Sequence, residues 1–227
     1  CGLNIESFND IRVGDIVVAG TDMDGSKTFI STAADQQSLV AFAANGFILA
    51  ALFGAIAVAR EYGHHTVIPM FLASPRRHRA VGAQLGAVAV GGAVLSVVGT
   101  ALTIAAVALA LPTTDYGFLV SAGNVLRLLG AAAFAGAAGA VFGAGFGSIV
   151  RSVGGAVTGT TIALIIAPPL IVQMANDTAS WMPNILANVL AGAGTDVSTP
   201  AALAALAAWA LVPAAIGLWA VERRDVV

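Results

Sequence analysis

The residue types that most often carry catalysis or bind metals are sparse in this sequence, and their spacing supports neither role. The three histidines, His64, His65 and His78, lie close in sequence, but adjacent histidines point in different directions on most backbones. Only Glu61 stands near them as a further ligand. The Gly-Phe-Gly-Ser sequence at 145–148 resembles the turn around a nucleophilic serine, yet no histidine falls in an apolar segment to activate that serine. We therefore predict neither a metal centre nor an intramembrane serine protease.

The sequence also lacks the groups needed for nucleotide hydrolysis and for disulfide bonding. It has no Gly-x-x-x-x-Gly-Lys-Ser/Thr phosphate-binding loop, and its only lysine is Lys27. We therefore predict that the chain is not an enzyme and binds no cofactor of its own. The only cysteine, Cys1, excludes an internal disulfide. Because Cys1 stands where a methionine would begin a reading frame, either a preceding segment is missing or Cys1 is a lipidated cysteine left by signal peptidase.

The composition places the elements around these residues in a membrane. The chain has 227 residues, of which 58% are hydrophobic and 10% charged, and its mean hydropathy is +0.90, which is too apolar for one soluble core of this size. A net charge of −2 provides no basic field for nucleic acid. About twenty apolar residues cross a hydrocarbon core as a helix, so we predict an all-α, polytopic membrane helical bundle. The segments of this length are 38–59, 80–111, 125–150, 155–175 and 200–221.

The distribution of arginine predicts the orientation of these spans. One side carries most of the arginines, and the positive-inside rule makes that side cytoplasmic. Residue 1 is then external and the C-terminus cytoplasmic. Residues 1–37 form an external segment with a small hairpin or strand at 11–18, and residues 38–227 form the transmembrane domain. Because an external start of this length requires an earlier span, we expect five visible spans of a total of six. The arginines on the cytoplasmic side are Arg60, Arg76, Arg77, Arg79, Arg151, Arg223 and Arg224.

The connection between the first two predicted spans, residues 60–79, is the most distinctive part of the sequence. Its charged residues bracket a short apolar patch, which suits a segment at the membrane interface that offers a surface to a partner. A plain interfacial loop that anchors two helices explains the same pattern. The apolar patch consists of Val67, Ile68, Met70, Phe71 and Leu72.

This connection resembles a known family. Arg60-Glu61-Tyr62-Gly63 through Thr66, and then Leu72-Ala73-Ser74-Pro75-Arg76-Arg77, are similar to the Glu-Tyr-x-x-Gly-Thr and Leu-x-x-x-Pro-x-Arg pattern of type-2 ABC exporter permeases, especially short actinobacterial ones. The chain departs from that pattern at His65, Pro69 and Gln84. Further similar stretches are Val150-Arg151-Ser152, Ala167-Pro168-Pro169-Leu170, Trp181-Met182-Pro183-Asn184 and Glu222-Arg223-Arg224-Asp225.

The resemblance implies a role and partners. A short coupling helix within 66–75 would dock on a separate ABC ATPase subunit, which would bind ATP and Mg²⁺. With a second permease chain, this subunit would export a hydrophobic drug, antibiotic, peptide or lipid across the bacterial inner membrane. The residues leave open which cargo is moved and whether the dimer is homomeric or heteromeric. The coupling residues implied are Glu61, Thr66, Val67, Ile68, Met70, Phe71, Leu72, Pro75, Arg76 and Arg77.

Polar residues within the predicted spans are candidates for lining a pathway, because an unpaired polar group in hydrocarbon is costly. They include Asn45, Gln84, Thr158 and Gln173, although an interhelical hydrogen bond explains Asn45 equally well. Arg127 lies near an outer end and can extend to the interface. The predicted spans contain no deep acidic residue, which disfavours a proton-driven secondary transporter.

Glycines recur at four-residue spacing in two of the predicted spans, which predicts close helix packing. We favour packing within one subunit over a dimer interface. The residues are Gly139, Gly143 and Gly147 in one span and Gly155 and Gly159 in the next.

A non-transporting membrane scaffold or sensor is the alternative interpretation of the whole chain. Its external segment, 1–37, would bind a ligand. Such a protein would purify without an ATPase, which distinguishes it from the exporter subunit.

Overall fold

The computed structural model describes residues 33–43, 46–63, 77–111, 117–192 and 197–223. All the regular elements in these ranges are helical, which confirms the all-α class. The hairpin or strand predicted at 11–18 lies outside the described residues, as does the predicted coupling helix at 66–75. The α-helices are α1 (Ala33–Ala43), α2 (Phe47–Gly63), α3 (Arg77–Ala110), α4 (Ala122–Val150), α5 (Val153–Thr161), α6 (Ala167–Met174), α7 (Pro183–Ala191) and α8 (Thr199–Arg223).

Four of the predicted spans are present as helices that are long and apolar enough to cross a membrane. They are Arg79–Ala110, Ala122–Val150, Val153–Met174 and Thr199–Val221. Each end lies within three residues of the prediction. Mean hydropathy over a window of this length is a local property of the sequence, which is why these boundaries could be predicted.

The span predicted at 38–59 differs from the structure. α1 ends at Ala43, Gly46 lies in a turn, and α2 begins at Phe47. α2 alone has 17 residues, a length of about 26 Å, which is shorter than a hydrocarbon core of about 30 Å. The Asn-Gly pair at 45–46 is a turn signal in the sequence, but the apolar pattern on both sides of it gives a continuous span by hydropathy. The predicted count of five spans is therefore not confirmed.

α4 is the central helix of the bundle. It packs against α2, α3 and α8, and half of its most apolar stretch is buried, compared with 11% for the corresponding stretch of α3. α3 instead exposes large apolar side chains along most of its length, including Val90, Val94 and Leu102. α3 thus forms an apolar flank, whereas α4 holds the core together.

The glycines of α4 bring it into direct backbone contact with α2. A methyl group at Gly139 would overlap the carbonyl oxygen of Phe47, and one at Gly143 would overlap that of Ala51. Gly147 faces Ala55 in the same way, one turn further along. These glycines pack within one chain, as predicted.

The helix that follows α4 is interrupted by a wider turn. A π-helical segment, Ile162–Ile166, joins α5 to α6, and the N–H of Ala167 donates to the carbonyl of Ile162, five residues earlier. Pro168 and Pro169 come next, and a proline has no N–H to donate to the carbonyl four residues before it. The wider turn therefore lies where two of the regular α-helical hydrogen bonds, those of Pro168 and Pro169, cannot form. Turns of this kind occur frequently at functional sites.

Candidate functional site

The predicted coupling residues lie mostly outside the described part of the chain. Thr66, Val67, Ile68, Met70, Phe71, Leu72, Pro75 and Arg76 fall in this category, and so does the pathway candidate Asn45. Glu61 is described at the end of α2, and Arg77 is the first residue of α3. The structure therefore describes the two helices that flank the segment 64–76.

Glu61 and Gln84 are brought together beside that segment. The Gln84 side-chain amide on α3 donates a short hydrogen bond to the Glu61 carboxylate on α2. Burial raises the pKa of the Glu61 carboxyl, which lies beyond the end of the predicted span. From sequence, Glu61 is a coupling candidate and Gln84 a pathway candidate. The structure instead makes them a pair that joins α2 to α3.

Tyr62 links α2 to the end of the central helix. The Arg151 guanidinium lies over the Tyr62 ring, 5.3 Å from its centroid, which is a cation–π geometry. The Tyr62 phenol lies near the hydroxyl of Ser148, which donates to the Ala144 carbonyl at 3.0 Å. Burial raises the pKa of the phenol, and the positive charge of Arg151 opposes that rise. The ends of α2 and α4 are thus connected through aromatic, cationic and hydroxyl groups.

Arg151 itself has an unusual backbone and an unsatisfied side chain. It ends α4 in the left-handed conformation, with φ of 56°, and its N–H donates to the Gly147 carbonyl at 2.9 Å. Glycine normally takes this position, because a Cβ is unfavourable there. Its Nε and Nη2 atoms are buried, and neither is hydrogen-bonded within the described residues. Strained backbone and unsatisfied donors together are typical of functional positions. The sequence analysis used Arg151 only as a marker of orientation.

We call this part of the bundle, where Arg60, Arg79 and Arg151 lie, the arginine-rich end. Three helix ends meet there and are tied to one another next to the segment 64–76.

An apolar cavity of about 470 Å³ opens between α4, α8 and the π-helical region. Phe142 and Phe146 form one wall, and Trp209 and Pro213 another. The remaining lining residues are Ala163, Trp181, Ala205, Ala208 and Val212. The side chains that line this cavity are aliphatic or aromatic, and none of them is charged.

The aromatic residues of this cavity form a connected cluster. The ring of Phe142 lies 5.1 Å from that of Phe146 and 6.2 Å from that of Trp209, centroid to centroid. The Trp209 indole N–H donates to the Trp181 carbonyl at 3.0 Å, so this donor is already bonded. The sequence analysis missed the cavity. The four-residue spacing of Phe142 and Phe146 was a local signal, but it did not show which helix would face them.

The pathway candidates within the described residues, Gln84, Thr158 and Gln173, are not brought together. Gln84 lies at the arginine-rich end and is bonded to Glu61. Thr158 on α5 and Gln173 on α6 are exposed, and neither is among the residues that line the apolar cavity. Their polarity alone did not indicate a common site.

The opposite end of the bundle is held by amide side chains, and we call it the amide-rich end. Gln36 is fully buried. Its Nε2 donates to the Gly117 carbonyl at 2.9 Å, and its Oε1 accepts from the N–H of Leu119 at 2.8 Å. Gln37 accepts from the Asn124 side chain at 2.8 Å and donates to the Ala191 carbonyl at 3.3 Å. The start of α1 is thereby fixed to α4 and α7.

Arg127 completes the attachment of α7. Its Nε donates to the Leu190 carbonyl at 3.1 Å and its Nη2 to the Val189 carbonyl at 3.5 Å. These carbonyls belong to the last turn of α7, and that of Val189 also accepts from the N–H of Gly192 at 3.1 Å. Gly192 follows with φ of 101°, as is common at a helix C-terminus. The prediction that Arg127 extends to the interface did not include its bonds to the end of α7.

Comparisons with protein-family models, with curated proteins and with solved structures gave no match.

Proposed function

We propose that this chain is the membrane-spanning permease subunit of an ATP-driven ABC exporter in the bacterial inner membrane. A separate ATPase subunit binds ATP and Mg²⁺, and a second permease chain completes the pathway. The C-terminus is cytoplasmic, residue 1 is external, and the arginine-rich end faces the cytoplasm. The proposal starts from the resemblance of residues 60–77 and of the later stretches to that family.

One structural observation supports the coupling role above all. The helices that enter and leave the segment 64–76 are joined by the bond between Glu61 and Gln84. Tyr62 then contacts Arg151 at the end of the central helix. A segment pushed by an ATPase would therefore move three helices as a unit. Because α2, α3 and α4 are linked in this way, a small displacement at the docking site would change how these helices pack.

The apolar cavity supports a hydrophobic cargo. Its wall of aromatic and aliphatic side chains suits a drug, an antibiotic, a hydrophobic peptide or a lipid. The adjoining π-helical segment, Ile162–Ile166, interrupts the regular ladder next to this cavity. A helix with an interrupted ladder can change its packing at lower cost than a continuous one. The helices around the π-helical segment would change their packing when the subunit alternates between inward-facing and outward-facing states.

The test is a mild-detergent pull-down of the full-length protein, followed by mass spectrometry and an ATPase assay. We expect a stoichiometric ABC ATPase that turns over ATP. Replacing Phe71 or Leu72 with aspartate should weaken the association and leave membrane insertion intact, because an acidic group disrupts an apolar docking surface. Ser152→Asp is the matched control, since Ser152 is exposed at the same end of the bundle but outside the segment 64–76.

The opposite results have a clear meaning. Unchanged association of the Phe71→Asp and Leu72→Asp variants would remove the coupling assignment. The absence of any ATPase from the purified full-length protein would overturn the exporter proposal and favour the scaffold or sensor.

A further inference from the structure

A second, smaller groove lies at the amide-rich end, between α4, α7 and α8. It has a volume of about 210 Å³, with Arg127 at its rim and Gly130, Phe134 and Leu203 along its length. Ala131, Leu190 and Thr199 complete the lining. The groove therefore combines a cationic rim with an apolar interior.

The residues along α4 follow one helix face. Positions 127, 130, 131 and 134 are separated by three, four and seven residues, so their side chains lie above one another. Arg127 is the sixth residue of α4, about 7.5 Å from the start of the helix, and Phe134 lies about 10 Å deeper. In a membrane this puts the guanidinium at the depth of lipid headgroups and the apolar part among the acyl chains.

The Arg127 guanidinium is held in place but not saturated. Two of its five N–H groups donate to the carbonyls of Leu190 and Val189. Within the described ranges no bond uses the other three. The side chain is exposed, so these donors are accessible to a headgroup. Because α7 fixes the guanidinium, little conformational freedom is lost when it binds an anion.

We propose that this groove binds one anionic phospholipid, with its phosphate on Arg127 and an acyl chain along Gly130, Phe134 and Leu203. Charge complementarity selects this occupant: the apolar interior requires a chain, and the single arginine at the rim requires an anion. The inference needs only that the chain spans a membrane, and it does not depend on transport or on an ATPase.

The experiment uses the full-length protein in detergent with lipids that carry a photoactivatable group on one acyl chain. Phosphatidylglycerol and phosphatidylcholine are compared, and the labelled positions are found by peptide mass spectrometry. We expect phosphatidylglycerol to label the stretches around 130–134 and 203 about fivefold more than phosphatidylcholine, the effect of one cation on one anionic headgroup. Arg127→Gln should reduce this ratio to about one.

A second variant separates binding from the structural role of Arg127. Gly130→Leu should fill the groove, since a Cβ at Gly130 meets open space, and it leaves the bonds from Arg127 to α7 in place. Labelling within the groove should then fall for both lipids. Arg79→Gln, an exposed arginine at the other end of the bundle, is the matched control and should leave the ratio unchanged.

Three results would overturn the proposal. The first is equal labelling by the two lipids in the unmodified protein, which would mean that the groove takes bulk lipid. The second is labelling of the groove that survives Gly130→Leu. The third is loss of the lipid preference on adding inorganic phosphate, which would make Arg127 a site for free anions rather than for a lipid.

Discussion

The side-chain amide of Gln84 donates a hydrogen bond to the Glu61 carboxylate and so joins the end of α2 to the beginning of α3. The two residues are 23 positions apart, and the segment 64–76 lies between them. This bond therefore links the two described helices that flank that segment.

The Glu61–Gln84 pair should couple energetically. We expect Glu61→Ala and Gln84→Ala each to lower the free energy of unfolding by about 1 kcal/mol, because each removes a hydrogen bond between partly buried groups. The double variant should cost less than the sum of the two, by about 0.5–1 kcal/mol. Thermal unfolding of the four proteins in one detergent measures this difference. Strictly additive effects would show that the bond contributes nothing.

Arg151 allows the cost of its backbone to be separated from the role of its side chain. Arg151→Gly and Arg151→Ala both remove the contact with Tyr62, but only alanine keeps a Cβ at φ of 56°. We expect the alanine variant to be less stable than the glycine variant by about 1 kcal/mol. Melting temperatures of the purified variants check this order.

Arg79 provides the control for that comparison. It is exposed within α3, where the backbone is right-handed helical, so alanine there should be more stable than glycine by about 1 kcal/mol. If glycine were favoured equally at both positions, the left-handed backbone of Arg151 would not be the cause.

Close packing between α2 and α4 should make Gly143 intolerant of any side chain. Gly143→Ala places a methyl group against the Ala51 carbonyl, so the helices must separate, at a cost of about 1–3 kcal/mol. Gly99→Ala on α3 is the control, because a Cβ there meets nothing within 4 Å. The control should be neutral or slightly stabilising, since alanine favours helix. Urea or thermal unfolding in detergent distinguishes the two, and equal stability of the variants would contradict the packing.

The apolar cavity should lose ligand binding when it is filled. Ala208→Phe introduces a ring into the cavity, whereas Ala204→Phe places the same ring on an exposed position of α8 that does not line it. We expect only Ala208→Phe to weaken the binding of an apolar fluorescent probe, because the cavity volume is removed. Probe titration monitored by energy transfer from the tryptophans measures this binding. Equal binding by both variants would place the probe elsewhere.

The spans could be predicted from sequence to the extent that they depend on local composition. α3, α4, the α5–α6 helix and α8 were each predicted within a few residues, since hydropathy is read over a window. The turn at Gly46 was not, because hydropathy averaged over a window does not register a single Asn-Gly pair. The packing of Gly143 within one chain was predicted from its spacing.

The site residues depended on contacts that spacing does not encode. The pairing of Glu61 with Gln84 follows from how the two helices are connected and how they cross. The capping of α7 by Arg127 joins residues that are 62 and 63 positions apart. The apolar cavity depends on the packing of Phe142 on α4 against Trp209 on α8, so it could not be predicted from either residue alone.

A π-helical turn takes one residue more than an α-helical turn, so Ile162–Ile166 acts as a one-residue insertion in an otherwise regular rod. One residue corresponds to a rotation of about 100° around the axis. A helical wheel that uses 100° per residue from α5 into α6 therefore places every residue beyond Ile166 on the wrong side of the helix, by about 100°. Gln173 belongs to a different side of the rod from the one that such a wheel gives it. Removal of a single residue from this turn would shorten the chain while keeping the faces of both helices.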